Sequence, residues 1–273
     1  ANNWDEQLLT EWGLDIPNFD ATVLEAEEDN FSVPYGGSET DIVLGDLFEI
    51  GEHRLLCGDS TDSDQVAKLM NGQKADMVFT DPPYGMKLDA DYSGMKSDIF
   101  KGGIGGKKYD NIKGDHDDFT EELINTIFSH FANTKNIFIW GADYFAELLP
   151  NKNEGSWIVW DKKNEGTDFA DCELAWTNMK TAVRKYTIHK FEGTRGGKDC
   201  IHPTQKPVKL YDWIYSKYAE KGNKILDTHL GSGSNRIAAH KAGLSFVGCE
   251  IDKDYFDAQE KRFKEFVSQL RLF

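Results

Sequence analysis

Six short stretches along the chain share one design: a run of apolar positions that stops at an acid or a glycine. They read "HRLLCGD", "DMVFTD", "NIFIWG", "SWIVWD", "NKILDTHLGSG" and "FVGCEID", and their length and their β-branched and aromatic content predict strands with polar groups at their ends. Between them, apolar residues recur three or four apart over Ser63 to Met70, Phe119 to Phe131, Pro207 to Tyr218, Ser234 to Ala242 and Lys253 to Val267. That is the period of helices with one buried face. Strand alternating with helix predicts an α/β fold, a doubly wound and mostly parallel sheet covered on both faces.

Two segments break the rhythm. Met86 to Gly114 is rich in Gly and Lys and has no period, which predicts a mobile loop starting directly after Tyr84; loops of that length usually carry function. Glu165 to Asp199 reads as shorter antiparallel strands, "CELAWT" and "AVRKYTIHKF", ending in "GTRGGKD". It is expected as an insertion off the main sheet, spanning about residues 165–200. Residues 1–44 are acidic, close on a Pro and Gly stretch and show only short helical patches, the composition of an arm or linker ahead of a domain at 45–273.

The 273 residues suffice for a real apolar core. No apolar run reaches the roughly 18 residues of a membrane span, and "ANNWDEQ" lacks the regions of a signal peptide, so a cytoplasmic protein is expected. Cys57, Cys172, Cys200 and Cys249 stand far apart with no CxxC pair. They are expected to be buried reduced thiols, with no metal site. The net charge of −16 is unevenly spread: residues 1–53 hold 14 Asp and Glu and no Lys or Arg, leaving −2 for the rest. Acidity therefore does not exclude a polyanionic partner. Lys180 to Lys198 carries six Lys or Arg against one Glu, interleaved with Tyr186, His189 and Phe191, a pattern suited to phosphate contacts.

In "KILDTHLGSGSNRIAA" a strand gives way to Gly231, Ser232 and Gly233 and then to a helix. Glycines let the backbone approach a ligand, and the helix start presents unpaired N–H groups. The next strand ends at Glu250, 17 residues beyond Gly233, where an acid can accept both hydroxyls of a ribose. Arg236 stands where the third glycine of GxGxxG would fall, which favours a nucleoside ligand without phosphates over a dinucleotide. Asp227, at its strand end, suits the ammonium of an amino-acid moiety.

The run "VFTDPPYGM" ends in two prolines that can neither continue a helix nor donate to a sheet ladder. Asp81 and the Pro82 carbonyl can accept from an amino group, and Tyr84, after Pro83, offers a flat face for stacking. Together they fit a planar base with an exocyclic amine. That nitrogen is a poor nucleophile because its lone pair is delocalised; two acceptors on its protons favour a tetrahedral nitrogen aimed at an electrophile. In a duplex the base would first have to be flipped out.

"TDPPYGM" followed by "DTHLGSGS" resembles the amino-group DNA methyltransferases that use S-adenosylmethionine, and the motif order resembles their beta class. "HRLLCGDSTD" is similar to the family motif whose acid, here Asp59 next to Ser60, faces the cofactor adenine. "HPTQKP", with His202, Thr204 and Lys206, is similar to the motif that contacts the methionine end. The resemblance covers roughly residues 45–270. It implies a Rossmann-like S-adenosylmethionine-dependent methyltransferase fold with an inserted target-recognition region. It implies cofactor contacts from Asp59, Ser60, Asp81, His202, Thr204, Lys206, Asp227, His229, Gly231, Ser232, Gly233, Ser234, Glu250, Ile251 and Asp252, and catalysis by Asp81, Pro82, Pro83 and Tyr84. Double-stranded DNA would meet Lys101, Lys107 and Lys108 of the loop and Arg184, Lys185, Lys190, Arg195 and Lys198 of the basic segment.

The family glycine motif reads DPFxGSGT, whereas Thr228, His229 and Ser234 stand here for Pro, Phe and Thr; His229 is expected as a packing substitute. In family terms DPPY implies adenine-N6 as the target, with N4-cytosine or RNA methylation, or a non-catalytic binding subunit, as alternatives. The stretch from Gly45 to Gly85 is similar to bacterial and phage methyltransferases that often carry a ParB-like domain in front. Such a missing domain, and a homodimer, are further expectations of the resemblance.

Overall fold

A computed structural model of the chain describes residues 41–83, 113, 124, 128, 131, 133–150, 156–165, 170–194 and 199–270. Among them, nine strands form one sheet. They are β1 (Leu47–Ile50), β2 (His53–Cys57), β3 (Met77–Thr80), β4 (Asn136–Trp140), β5 (Trp157–Asp161), β6 (Cys172–Thr177), β7 (Arg184–Thr187), β8 (Lys224–Asp227) and β9 (Ser245–Glu250). Their order is β1-β2-β9-β8-β3-β4-β6-β5-β7. The helices are α1 (Ser63–Met70), α2 (Val208–Tyr218), α3 (Ser234–Lys241) and α4 (Lys253–Leu270), with a 3₁₀ helix at Ala142–Leu148.

The five central strands, β2, β9, β8, β3 and β4, run parallel. β3 and β4 are buried on both faces, which is why they read as continuous apolar runs and not as alternating ones. Successive residues point into two separate cores. Leu55, Phe79 and Phe138 join the layer under α2, α3 and α4, while Leu56, Val78, Ile137 and Ile139 pack with Val66 and Leu69 of α1. Phe79 stacks on Phe138 at 4.6 Å and receives the ring edges of Tyr211 and Tyr215 from α2.

From β3 the chain moves outward to β4, and from β8 outward the other way to β9. The boundary between β3 and β8 is therefore the switch point, where a crevice opens beyond the carboxyl ends. Gly51, with φ 57°, turns the β1–β2 hairpin, which the apolar pattern does not announce: β1 has the burial of a partly exposed edge. Asp62 caps α1 by accepting from Asp64 N and Gln65 N, so that helix begins where the pattern places it.

The antiparallel strands expected off the main sheet belong to it. β6 pairs antiparallel with β4 through Trp140↔Ala175 and with β5, whereas β7, also expected to be antiparallel, pairs parallel with β5. The apolar half of β6, Ala175 to Thr177, is buried against β4, and that burial draws the segment into the sheet. Cys172 corrects the expectation of uniformly buried thiols: it starts β6 in an exposed position, while Cys57, Cys200 and Cys249 are buried. The acidic arm over 1–40, the loop over 86–114 apart from Lys113, and most of the helix expected over Phe119 to Phe131 lie outside the described residues. Ile124 and Phe131 of that helix are in the core. Among the described residues no helix is long and apolar enough to cross a membrane.

Candidate active site

A cavity of about 310 Å³ opens at the switch point, at the lower end of the range for small-molecule pockets. Asp81, Pro82 and Pro83 after β3, the turn after β8, Glu250 to Asp252 at the end of β9, Gly141, Asp143 and Tyr144 after β4 and the His202 to Lys206 loop all border it.

Each of these positions follows from local structure. Gly231 and Gly233 have φ of 50° and 72°, the left-handed region that favours glycine, and they fold the turn back under β9. There Glu250 Oε2 accepts from Gly231 N at 2.8 Å and Oε1 from Asp252 N at 2.9 Å. Burial pushes the Glu250 carboxyl up to about 7. The His202 ring lies against the same turn, 3.9 Å from where a Gly231 side chain would begin. It rests edge-on to Tyr255 at 4.4 Å, and its Nδ1 meets Thr204 Oγ1 at 3.0 Å. Burial, with Lys206 nearby, lowers His202 to about 3, so it is neutral.

Asp227 lies one layer deeper than expected. It does not line the cavity; Oδ2 accepts from Asn235 Nδ2 at 2.8 Å and Oδ1 from His229 N at 3.1 Å. Asn235, which does line the cavity, is gripped from behind by the Tyr215 hydroxyl. Burial raises Asp227 to about 7.

The departures from the glycine motif form a cluster of their own. Thr228 Oγ1 donates to Thr80 Oγ1 at 2.7 Å, and His229 Nδ1 lies within 2.9 Å of both hydroxyls. Burial lowers His229 to about 4, leaving a neutral ring that closes the wall. Arg236 is turned away from the cavity: it is 0% exposed, paired with Glu260 and Gln259 of α4 and laid on the Phe263 ring at 3.7 Å. The third-glycine position thus serves helix packing.

At the DPPY motif, Lys206 Nζ lies 2.5 Å from Asp81 Oδ2 and 3.2 Å from Glu173 Oε2. Burial alone would lower this lysine, but the two carboxylates raise it. Glu173 in turn accepts from Lys162 Nζ at 2.9 Å. Burial would raise Glu173, yet Lys206 and Lys162 hold it down at about 2.

Asp81, Pro82, Pro83, His202, Thr204, Lys206, His229, Gly231, Ser232, Ser234, Glu250, Ile251 and Asp252 thus meet at one cavity. Asp59 and Ser60 do not line it; Asp59 Oδ1 accepts from Thr61 N at 2.8 Å in a turn after β2. Gly233 caps α3 behind the wall. Of the basic residues, Arg184 and Lys185 are exposed on β7, and Lys185 is paired with Asp161. Lys190 instead turns inward, donates to the Pro203 carbonyl at 3.2 Å and lines the cavity. Tyr84, Lys101, Lys107, Lys108, Arg195 and Lys198 lie outside the described residues. Sequence reasoning missed Glu173, Lys162, Asp143, Tyr144, Tyr255 and Lys113, which also border the cavity. Only Lys113 had a local signal, the Gly and Lys-rich loop, and it pairs with Asp252 at 3.3 Å. Among the described residues no group of three or more His, Cys, Asp or Glu is arranged to hold a metal ion.

The N6/N4 methylase family model, described as DNA methylase, matches residues 176–261. The chain is 24% identical over 240 residues to the type II methyltransferase M2.DpnII of Streptococcus pneumoniae, covering 71% of this chain and 84% of that protein. It is 23% identical over 235 residues to the type II methyltransferase M.HinfI of Haemophilus influenzae, covering 72% of this chain and 65% of that protein. Among solved structures, the M1.HpyAVI-SAM complex resembles the fold with TM-score 0.50 and 22% identity over 77% of this chain and 98% of that one.

Proposed function

We propose that this chain, whose residues 176–261 match the N6/N4 DNA methylase model, transfers a methyl group from S-adenosylmethionine to the N6 amine of adenine in duplex DNA. The observation that carries the reading is the convergence at one switch-point cavity of Asp81 and Pro82 with the glycine turn and Glu250.

The residues present fit the cofactor. Glu250 is a half-buried acid aimed at the glycine turn, suited to ribose hydroxyls; Ile251 offers an apolar wall, and His202 and Thr204 would border the methionine end. Asn235, oriented by Asp227, is the polar group that reaches the cavity where Asp227 itself was expected. S-adenosylmethionine, when bound, supplies a methyl group on a cationic sulfur. The chain's own work is placement. Asp81 and the Pro82 carbonyl accept from the two amine protons, which turns the nitrogen lone pair out of conjugation and toward the methyl group. The flipped base would stack on Tyr84, and the prolines hold the acceptors rigid. His229, locked to Thr80 and Thr228 in its neutral form, acts as wall and not as base.

Arg184 and Lys185 on the exposed β7 edge, with the basic positions outside the described residues, would contact phosphates and leave base readout to neighbouring side chains. A cytoplasmic location, pairing as a homodimer and a ParB-like domain ahead of the acidic arm remain part of this proposal on the strength of the sequence resemblance. The test is transfer of labelled methyl to unmethylated genomic DNA with nucleoside analysis of the product. N6-methyladenine supports the reading; N4-methylcytosine replaces the base assignment.

A further inference from the structure

We propose that Glu173 is a positioning residue for methyl transfer, acting through Lys206 on the Asp81 carboxylate. The inference deepens the function proposed above and rests on it. Because β6 runs antiparallel to β4, its first residues lie at the carboxyl ends of the parallel strands, so a residue far from any motif reaches the catalytic side of the sheet. Four charges then alternate along one line. Asp81 Oδ2 lies 2.5 Å from Lys206 Nζ, that ammonium lies 3.2 Å from Glu173 Oε2, and Glu173 Oε1 lies 2.9 Å from Lys162 Nζ.

The Lys206 side chain is 3% exposed, and its ammonium lies 5.1 Å from the centre of the Trp140 ring. It therefore cannot relax into water and must divide its donors among the groups around it. An ammonium at Asp81 offers the same kind of N–H donor as an adenine amine and competes with it for the same carboxylate. With Asp81 as its main anion, Lys206 would settle there. Glu173, itself anchored by Lys162, supplies a second anion that draws the ammonium aside. The Asp81 carboxylate is thereby oriented by Lys206 without being taken over by it. Neutralising Glu173 shifts that balance toward the Asp81–Lys206 pair and against the incoming amine.

The experiment uses the full chain and compares the parent with Glu173→Gln, Lys206→Met and the double variant. Single-turnover transfer of labelled methyl to unmethylated genomic DNA is measured beside calorimetric affinity for S-adenosylmethionine. Glu173→Gln is expected to slow transfer on the order of 10- to 100-fold, the scale of a misplaced reacting group, while cofactor affinity stays within about threefold. In the Lys206→Met background the same substitution is expected to change the rate by less than about twofold, because the link it acts through is gone. Equal slowing in both backgrounds, or a loss of cofactor affinity that matches the loss of rate, overturns the proposal. A second cycle needs no turnover: in the ligand-free protein, urea unfolding of Asp81→Asn, Glu173→Gln and their combination is expected to be non-additive with Lys206 present and additive with Lys206→Met. Additivity in both backgrounds overturns the link itself. A parent chain that binds cofactor and transfers no methyl overturns the underlying function instead, so the two failures are distinguishable.

Discussion

Replacing Glu250 by glutamine removes a carboxyl that burial holds at about 7 against an ordinary value of 4.5. A group raised in this way keeps a proton in the folded chain that the unfolded chain has already released. It therefore stabilises fully below pH 4.5 and loses that contribution as the pH rises to about 7. At about 1.4 kcal/mol per pH unit, the 4.5-to-7 interval is worth on the order of 3 kcal/mol. The parent's own pH profile mixes this with opposite contributions. His53, His202 and His229, lowered by burial to about 3, 3 and 4, add stability as the pH rises toward 6.5, because only the unfolded chain protonates them. The difference between parent and Glu250→Gln cancels the histidines and leaves the carboxyl together with its coupling to Asp227, which burial also raises to about 7. Urea unfolding of both proteins at steps from pH 4.5 to about 8 is expected to give a difference curve that moves in favour of the variant by about 3 kcal/mol and levels off above pH 7. A flat difference curve would refute the reasoning, since it would mean that the Glu250 carboxyl is not held protonated by burial. On the proposed function the same ionisation is expected to make S-adenosylmethionine affinity in the parent rise with pH through this window, because the carboxylate would accept from both ribose hydroxyls.

Three further outcomes follow from single contacts. His229→Phe, which restores the aromatic of the family motif, is expected to leave S-adenosylmethionine affinity within about threefold, since the neutral ring pairs with Thr80 and Thr228 and carries no charge; a tenfold loss by calorimetry would assign His229 a direct role. Arg236→Met leaves buried Glu260 with the longer Lys264 pair at 3.7 Å in place of Arg236 and is expected to cost about 3 kcal/mol in urea unfolding, most of which Glu260→Leu added to it recovers. Arg184→Ala combined with Lys185→Ala is expected to lower the slope of log affinity against log salt by about one per lost phosphate contact. An unchanged slope in fluorescence anisotropy would remove the exposed β7 edge from the DNA surface.

The strand ends were legible in the sequence because a buried parallel strand must be apolar along its length and then stop at a polar group. Asp81, Asp227 and Glu250 all stand at or just beyond such ends. Helix α1 was legible to the residue because Asp62 and Gln65 cap it locally. Strand pairing was not. "CELAWT" was expected to be antiparallel, and is, but its place in the main sheet depends on its pairing with β4 through Trp140↔Ala175, which no periodicity encodes, and so Glu173 and its place beside Lys206 stayed hidden. Asp227 was placed at the correct strand end, but its depth was not readable: its oxygens are taken by Asn235 and by His229 N, and Asn235 reaches the cavity in its stead. Arg236 marked only the absence of a glycine. Its pairing with Glu260 and Gln259 and its stacking on Phe263 needed the packing of α3 against α4. Lys190 was counted with the phosphate-contacting cations on composition alone, yet it turns to the Pro203 carbonyl.

The measurement that bears most directly on the central claim is transfer of labelled methyl from S-adenosylmethionine to unmethylated genomic DNA by the parent and by Asp81→Ala, with the product nucleosides identified by mass spectrometry. The account predicts N6-methyladenine from the parent and a loss of transfer on the order of a hundredfold or more in the variant, with cofactor binding retained in both. Unchanged transfer in Asp81→Ala, or cofactor binding by the parent with no methylated base, would contradict it.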